Sequence, residues 1–160
     1  MKPLYLCSMK ILMVCLGNIC RSPIAEGLLQ HKAKMNNLNW QVDSAATLNE
    51  MVGCSPDKNS IIVSKKNGID ISNQIARKIK VEDFENFDLI YAMASDVLED
   101  IKFMAGKNYD PEKMKLLLDE VFPGQNRDIP DPYMLDISSF ENVYRLIDEA
   151  TDEIIKKYKN

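Results

Sequence analysis

The sequence predicts an α/β domain, a four-stranded parallel twisted sheet with helices on both faces in a three-layer, Rossmann-like arrangement. Three observations point to it. The run Lys10–Cys15, KILMVC, is apolar throughout after its first residue, as in a strand buried on both faces of a parallel sheet. Strand-like and helix-like segments then alternate, with no internal repeat, low-complexity block or dividing linker. The chain closes on a long segment with apolar residues at helical spacing.

Each element can be argued in order. The first strand is Lys10–Cys15, and a helix follows at once, with Ser22 as its expected N-cap and Pro23 at its first position. Ile24, Ala25, Leu28 and Leu29 share one face of it. Trp40–Ala45 is the second expected strand, and Ser55 with Pro56 opens a second helix that runs to Asn67 and stops at Gly68. Asp88–Met93, DLIYAM, is the third strand. Ser95 then caps a helix whose Val97, Leu98, Ile101 and Met104 turn inward, and Met114–Leu118 is the fourth strand. A polar loop, 119–137, leaves the carboxyl end of that strand. The final helix opens on a capping box, Ser138 with Glu141, and carries Phe140, Val143, Tyr144, Ile147, Ile154, Ile155 and Tyr158. Right-handed crossovers gather the carboxyl ends of the strands at one edge, where such sheets bind ligands.

Bulk properties exclude several classes of function. A chain of 160 residues, 46% apolar, fits one ordinary core. A formal charge of −4 offers no general attraction to nucleic acid or to an anionic membrane, so an anion site has to be built locally. The apolar stretch Ile11–Leu16 is too short for a signal or a span, and the expected compartment is the cytoplasm. Cys7, Cys15, Cys20 and Cys54 are therefore not expected to form a disulfide framework. Zinc is not expected either, because no second ligand pair follows Cys15 and Cys20 and the sole histidine, His31, sits on a predicted helix.

The stretch VCLGNICRSP, Val14–Pro23, carries the chemistry. A backbone curling from strand into helix turns consecutive N–H groups inward, and the helix start adds partial positive charge; together they hold an oxyanion. Gly17 and Asn18 are the residues suited to the unusual backbone angles of such a curl. Arg21 supplies a planar fork for two phosphoryl oxygens. The same field favours a thiolate, so Cys15 is the expected nucleophile, with Ser22 placed to donate to its sulfur. The stretch does not fit the nucleotide-binding pattern GxxxxGK[ST]. Taken without its flanks, a cysteine and an arginine at this spacing describe equally well a small buried thiol and a solvated guanidinium.

Departure of an alcohol from phosphate needs an acid, which has to come from elsewhere. RDIPDPYMLD places Asp131 between Pro130 and Pro132, whose rings fix the local φ angles, and Tyr133 follows as a wall for a pocket. Taken alone, that stretch is a proline-punctuated turn of solvated acids.

VCLGNICRSP resembles the signature of the low-molecular-weight protein tyrosine phosphatases at nearly every position. The likeness continues through VDSAAT at 42–47, GIDISNQIARKI at 68–79, DFENFDLIYAM at 83–93 and DPY at 131–133. Met9 stands where members usually begin, which makes 1–8 an N-terminal extension and 9–160 a single phosphatase domain. The resemblance implies the phosphotyrosine phosphatase I-like fold and a phosphocysteine route without metal or cofactor. Cys15 attacks phosphorus, Arg21 and the amides of Leu16, Gly17, Asn18, Ile19, Cys20, Arg21 and Ser22 hold the oxygens, and Asp131 serves as acid and then base. Asn18, Ser22, Ser44 and Gln74 are implied as loop supports; Leu16, Glu50, Tyr133 and Met134 as pocket walls. Cys20 reads either as a small buried residue packed against the loop or as a thiol that forms a reversible disulfide with Cys15 under peroxide. The implied substrate is a tyrosine-phosphorylated protein or small phosphate ester, handled by a monomer.

Four positions depart from the family pattern. Gln74 replaces a frequent histidine, Glu50 a pocket-wall aromatic, Met134 a second tyrosine, and Ala94 an aspartate. Arsenate reductases share the loop but relay oxidation through later cysteines, and this chain has none after Cys54. Arginine phosphatases carry threonine where this chain has Ile19. A phosphate-binding module without turnover is the non-enzymatic alternative.

Overall fold

The computed structural model describes residues 8–160, so the expected N-terminal extension lies outside the described residues except for Ser8. Four strands, β1 (Lys10–Cys15), β2 (Gln41–Ala46), β3 (Leu89–Ala92) and β4 (Met114–Leu116), form one parallel sheet in the order β2-β1-β3-β4. The helices are α1 (Arg21–Met35), α2 (Lys58–Lys66), α3 (Asp83–Asn86), α4 (Ser95–Ala105) and α5 (Ile137–Tyr158). β1 is central, which explains its unbroken apolar run: Ile11, Met13 and Cys15 pack on one side while Leu12 and Val14 pack on the other. The first side is covered by α1, α2 and α5 through residues such as Leu28, Val63, Phe140 and Ile147. The second is covered by α3 and α4 through Phe84, Val97 and Ile101.

Several ends differ from expectation, each for a local reason. β2 begins one residue later than expected, at Gln41, and includes Ala46, whose N–H and C=O are taken by Arg77 and Ile79. α2 is capped by Asp57, whose carboxylate accepts from the Asn59 N–H, rather than by Ser55. α5 is capped by Asp136, which accepts from Ser138 and Ser139, so the expected box of Ser138 with Glu141 does not form. β4 stops at Leu116 because Leu117–Glu120 tightens into a 3-10 turn. Leu98 and Met104 are only half-buried at the margin of the α4 face.

One close approach lies midway along α1. A Cβ on Gly27 would come within 2.6 Å of the Ile71 side chain, so only glycine lets the segment after α2 lie against that helix. The same segment reaches the loop between β1 and α1, because the Arg77 N–H donates to Asn18.

Candidate active site

The loop from Cys15 to Arg21 turns its carbonyls outward, where other segments take them up. Cys15 and Leu16 accept from the N–H groups of Thr47 and Leu48, Ile19 accepts from that of Asp57, and Cys20 from the Ser60 hydroxyl. No peptide bond here is cis, so the following N–H groups, on Leu16, Gly17, Cys20 and Arg21, point the opposite way, toward the concave side. Asn18 alone in the loop takes a left-handed conformation, φ 59°. Gly17 does not share it, and a Cβ there would meet Met51 at 3.4 Å, an ordinary contact.

Cys15 is buried at the end of β1, and its sulfur meets the Ser22 hydroxyl at 3.0 Å and the Asn18 N–H at 3.3 Å. Ser22 is not the helix cap. Cys20 occupies that position with no side-chain bond, α1 begins at Arg21, and the Ser22 hydroxyl is free to face the sulfur. Asn18 Nδ2 donates to Ser22 at 2.8 Å and to Ser44 at 2.9 Å, and its Oδ1 accepts from Arg77 at 3.0 Å. Gln74 lies apart from this group and donates to the Pro23 carbonyl at 3.0 Å, bracing the first turn of α1 instead of the loop side chains.

Arg21 is buried; Nη1 donates to the Ile129 carbonyl at 2.9 Å and Nη2 stands 3.9 Å from Asp131. That contact ties the loop between β1 and α1 to the proline-rich loop. Ile129 is fully buried and its N–H donates to the Met93 carbonyl, while Asp128 accepts from the backbone and hydroxyl of Ser95 at 2.8 and 2.9 Å. Ala94, the N-cap of α4, has no capping side chain, and Asp128 satisfies that helix end from across the gap. Asp131 itself accepts from the Tyr133 N–H at 3.1 Å, a local turn held between two prolines.

These pieces line a cleft of about 190 Å³ with Cys15, Arg21 and Cys20 in its depth and Leu16, Leu48, Glu50, Met51, Asp131 and Tyr133 around it. Gly17 and Ile19 complete the lining. Met134 does not belong to it. It is strongly exposed at φ 66°, turned out by the tight bend after Tyr133. Burial, chiefly, pushes the Cys20 thiol well above its ordinary value, so this second sulfur stays protonated at neutral pH.

The family profile described as low molecular weight phosphotyrosine protein phosphatase matches residues 10–160. The chain belongs to this family. It is 39% identical to the human low molecular weight phosphotyrosine protein phosphatase over 137 residues, 84% of this chain and 86% of that one. Among solved structures, Wzb from Vibrio vulnificus in complex with benzylphosphonate superposes with TM-score 0.83 at 33% identity, covering 93% of this chain and 98% of that one. A Drosophila arginine phosphatase superposes with TM-score 0.87 at 34% identity, covering 95% and 99%. The chain is thus a phosphotyrosine phosphatase of the low molecular weight class.

Leu48 and Met51, which wall the cleft, and the Ser95–Asp128 clamp escaped sequence reasoning. Leu48 and Met51 follow β2 with no motif of their own. Asp128 could have been suspected only from its proximity to Asp131 in the chain.

Proposed function

We propose that this phosphatase hydrolyses phosphotyrosine and small aryl phosphates at Cys15, with Asp131 as acid and base. One observation supports the reading above others: the buried Cys15 sulfur receives two hydrogen bonds at the floor of an apolar cleft that Asp131 borders. In the first step sulfur attacks phosphorus, the bond from phosphorus to the phenolic oxygen breaks, and Asp131 gives that oxygen its proton. In the second, water attacks phosphorus and yields a proton to Asp131, the sulfur–phosphorus bond breaks, and phosphate leaves. Inward N–H groups and Arg21 meet the charge on the equatorial oxygens throughout. The Nε–H of Arg21 has no acceptor among the described residues, and a phosphoryl oxygen would give it one.

The apolar walls suit an aromatic ring, with Leu48, Met51 and Tyr133 along its faces. Exposed Glu50 at the mouth disfavours acidic peptides. Cys15, Arg21 and Asp131 already meet in one cleft, and we take the enzyme to act as a monomer. A nucleophilic thiolate needs a reducing compartment, and we assign the enzyme to the cytoplasm. Turnover of p-nitrophenyl phosphate that is lost in C15S tests the reading; binding of phosphate without turnover in the parent protein would overturn it. A second reading is favoured by the Drosophila neighbour and by Glu50, which is placed to face a guanidinium. Ranking phosphotyrosine against phosphoarginine decides between the two.

A further inference from the structure

Asn18 has two N–H donors and one carbonyl, and its partners make it a donor to both neighbouring hydroxyls. Because the Arg77 N–H holds Oδ1, the Nδ2 group faces both serines and can only donate to them. Ser22, having accepted from Asn18, has its own proton left for the Cys15 sulfur. Ser44, having accepted likewise, sends its proton to Glu26 Oε1 at 3.0 Å. The chain of hydrogen bonds from the sulfur therefore ends on a half-buried carboxyl of α1. The other end of the Asn18 amide leads to the same place: Arg77, whose backbone holds Oδ1, grips Asp43 through Nε and Nη2, and Asp43 neighbours Glu26.

We propose that Glu26 is a positioning residue for the phosphate-binding loop, holding it in its anion-binding form through Ser44 while its carboxyl is neutral and loosening it once it is ionised beside Asp43. The inference rests on the phosphatase reading above. Charge counting gives the direction. Arg77 is the cation of a cluster that already contains Asp43 and Asp83, both within 3.1 Å of it or closer. An ionised Glu26 adds a third negative charge, competes for Arg77, and sets an anion behind a loop built to receive one. Burial, chiefly, and then Asp43 raise its carboxyl to about 7, against Ser44 and Arg77, which lower it. Other charged or titratable groups on its side are Asp70, after α2, and His31 and Lys34, on α1, which line the cavity that Glu26 shares with Gln74. β1 turns apolar side chains toward α1, and α5 meets α1 through Lys32, whose ammonium is taken by Asp148 and Asp152.

The test is inhibition of p-nitrophenyl phosphate hydrolysis by inorganic phosphate, measured for the parent and for E26Q from roughly pH 5 to roughly pH 9, a range that spans the shifted carboxyl. The ionisation of phosphate itself cancels in the ratio of the two inhibition constants. The ratio is expected near unity in acid. It should rise to about three- to tenfold in favour of E26Q, the scale of one hydrogen bond's net contribution, with a midpoint at about 7. D43N in a chain that keeps Glu26 should move the parent's own inflection to lower pH, and it serves if E26Q does not fold. A flat ratio, or an inflection that D43N leaves in place, overturns the proposal. Turnover that survives in C15S would instead remove the phosphatase reading on which it stands.

Discussion

Replacing Ser22 by alanine isolates the contact that best defines the nucleophile. The hydroxyl sits 3.0 Å from the Cys15 sulfur and, having accepted from Asn18, keeps its proton free to donate to it, so its removal takes one charge-assisted hydrogen bond from the sulfur as it leaves as an anion and orphans one Asn18 N–H. A hydrogen bond to a charged group contributes about 1.5–3 kcal/mol, which corresponds to roughly ten- to a hundredfold in a rate that depends on that charge. The loss should fall on the second chemical step, where sulfur has to leave phosphorus as an anion. With p-nitrophenyl phosphate, rapid mixing of S22A should show a burst of p-nitrophenol close to one equivalent, followed by turnover reduced by that factor. Asn18 keeps Ser44 and Arg77, so the loop should survive the change. Turnover within twofold of the parent, or a reduced rate with no burst, would refute the assignment of Ser22 to the leaving sulfur.

Other substitutions probe the remaining parts. D131N should slow turnover by about 100- to 10,000-fold, the range of general acid–base catalysis, with the larger losses on phenols that leave poorly; equal losses across leaving groups would deny it the role of acid. R77M leaves Asp83, nearly buried, without its cation and should cost about 3–5 kcal/mol in urea denaturation, most of it restored in R77M/D83N; a double variant no more stable than R77M would count against that. Glu26 is raised by burial to about 7 from an ordinary 4.5, so the fold favours its neutral form, fully below the ordinary value, and loses that stabilisation as pH rises through about 7. E26Q should accordingly match the parent in acid and exceed it in stability above neutrality by on the order of 3 kcal/mol, at 1.36 kcal/mol per unit, as read by denaturant titration. After mild peroxide, activity should return on reduction in the parent and far less in C20S, since a sulfenic acid on Cys15 and the thiol of Cys20 condense to a disulfide and water.

The sheet was legible because its central strand has no solvated face, and a run such as Ile11–Cys15 admits few other placements. Helix starts were read less well. Ser22, Ser55 and Ser138 all have the residue type of a cap, yet Ser22 serves the sulfur, and Asp57 and Asp136 cap the helices after Ser55 and around Ser138. Propensity names who is able to cap, whereas tertiary partners decide who does. Cys15, Arg21 and Asp131 fall together in one cleft because two loops leave the same edge of the sheet. Leu48, Met51, Glu26 and Asp128 stayed hidden, because each acts through a neighbour remote in sequence: the crossover that brings β2 beside β1 supplies it for the first three, and the one that brings β4 beside β3 supplies Ser95 for Asp128.

A single carboxamide thus acts as the compass of the whole centre: it has one oxygen and one nitrogen, and the two serines must orient by it. Spontaneous hydrolysis of that amide to aspartate, as proteins suffer with age, would exchange a donor for an acceptor with hardly any change of shape. Both hydroxyls would swing round, the sulfur would keep only the backbone N–H of that residue, and an old molecule would turn over slowly while still looking intact to any probe of its fold.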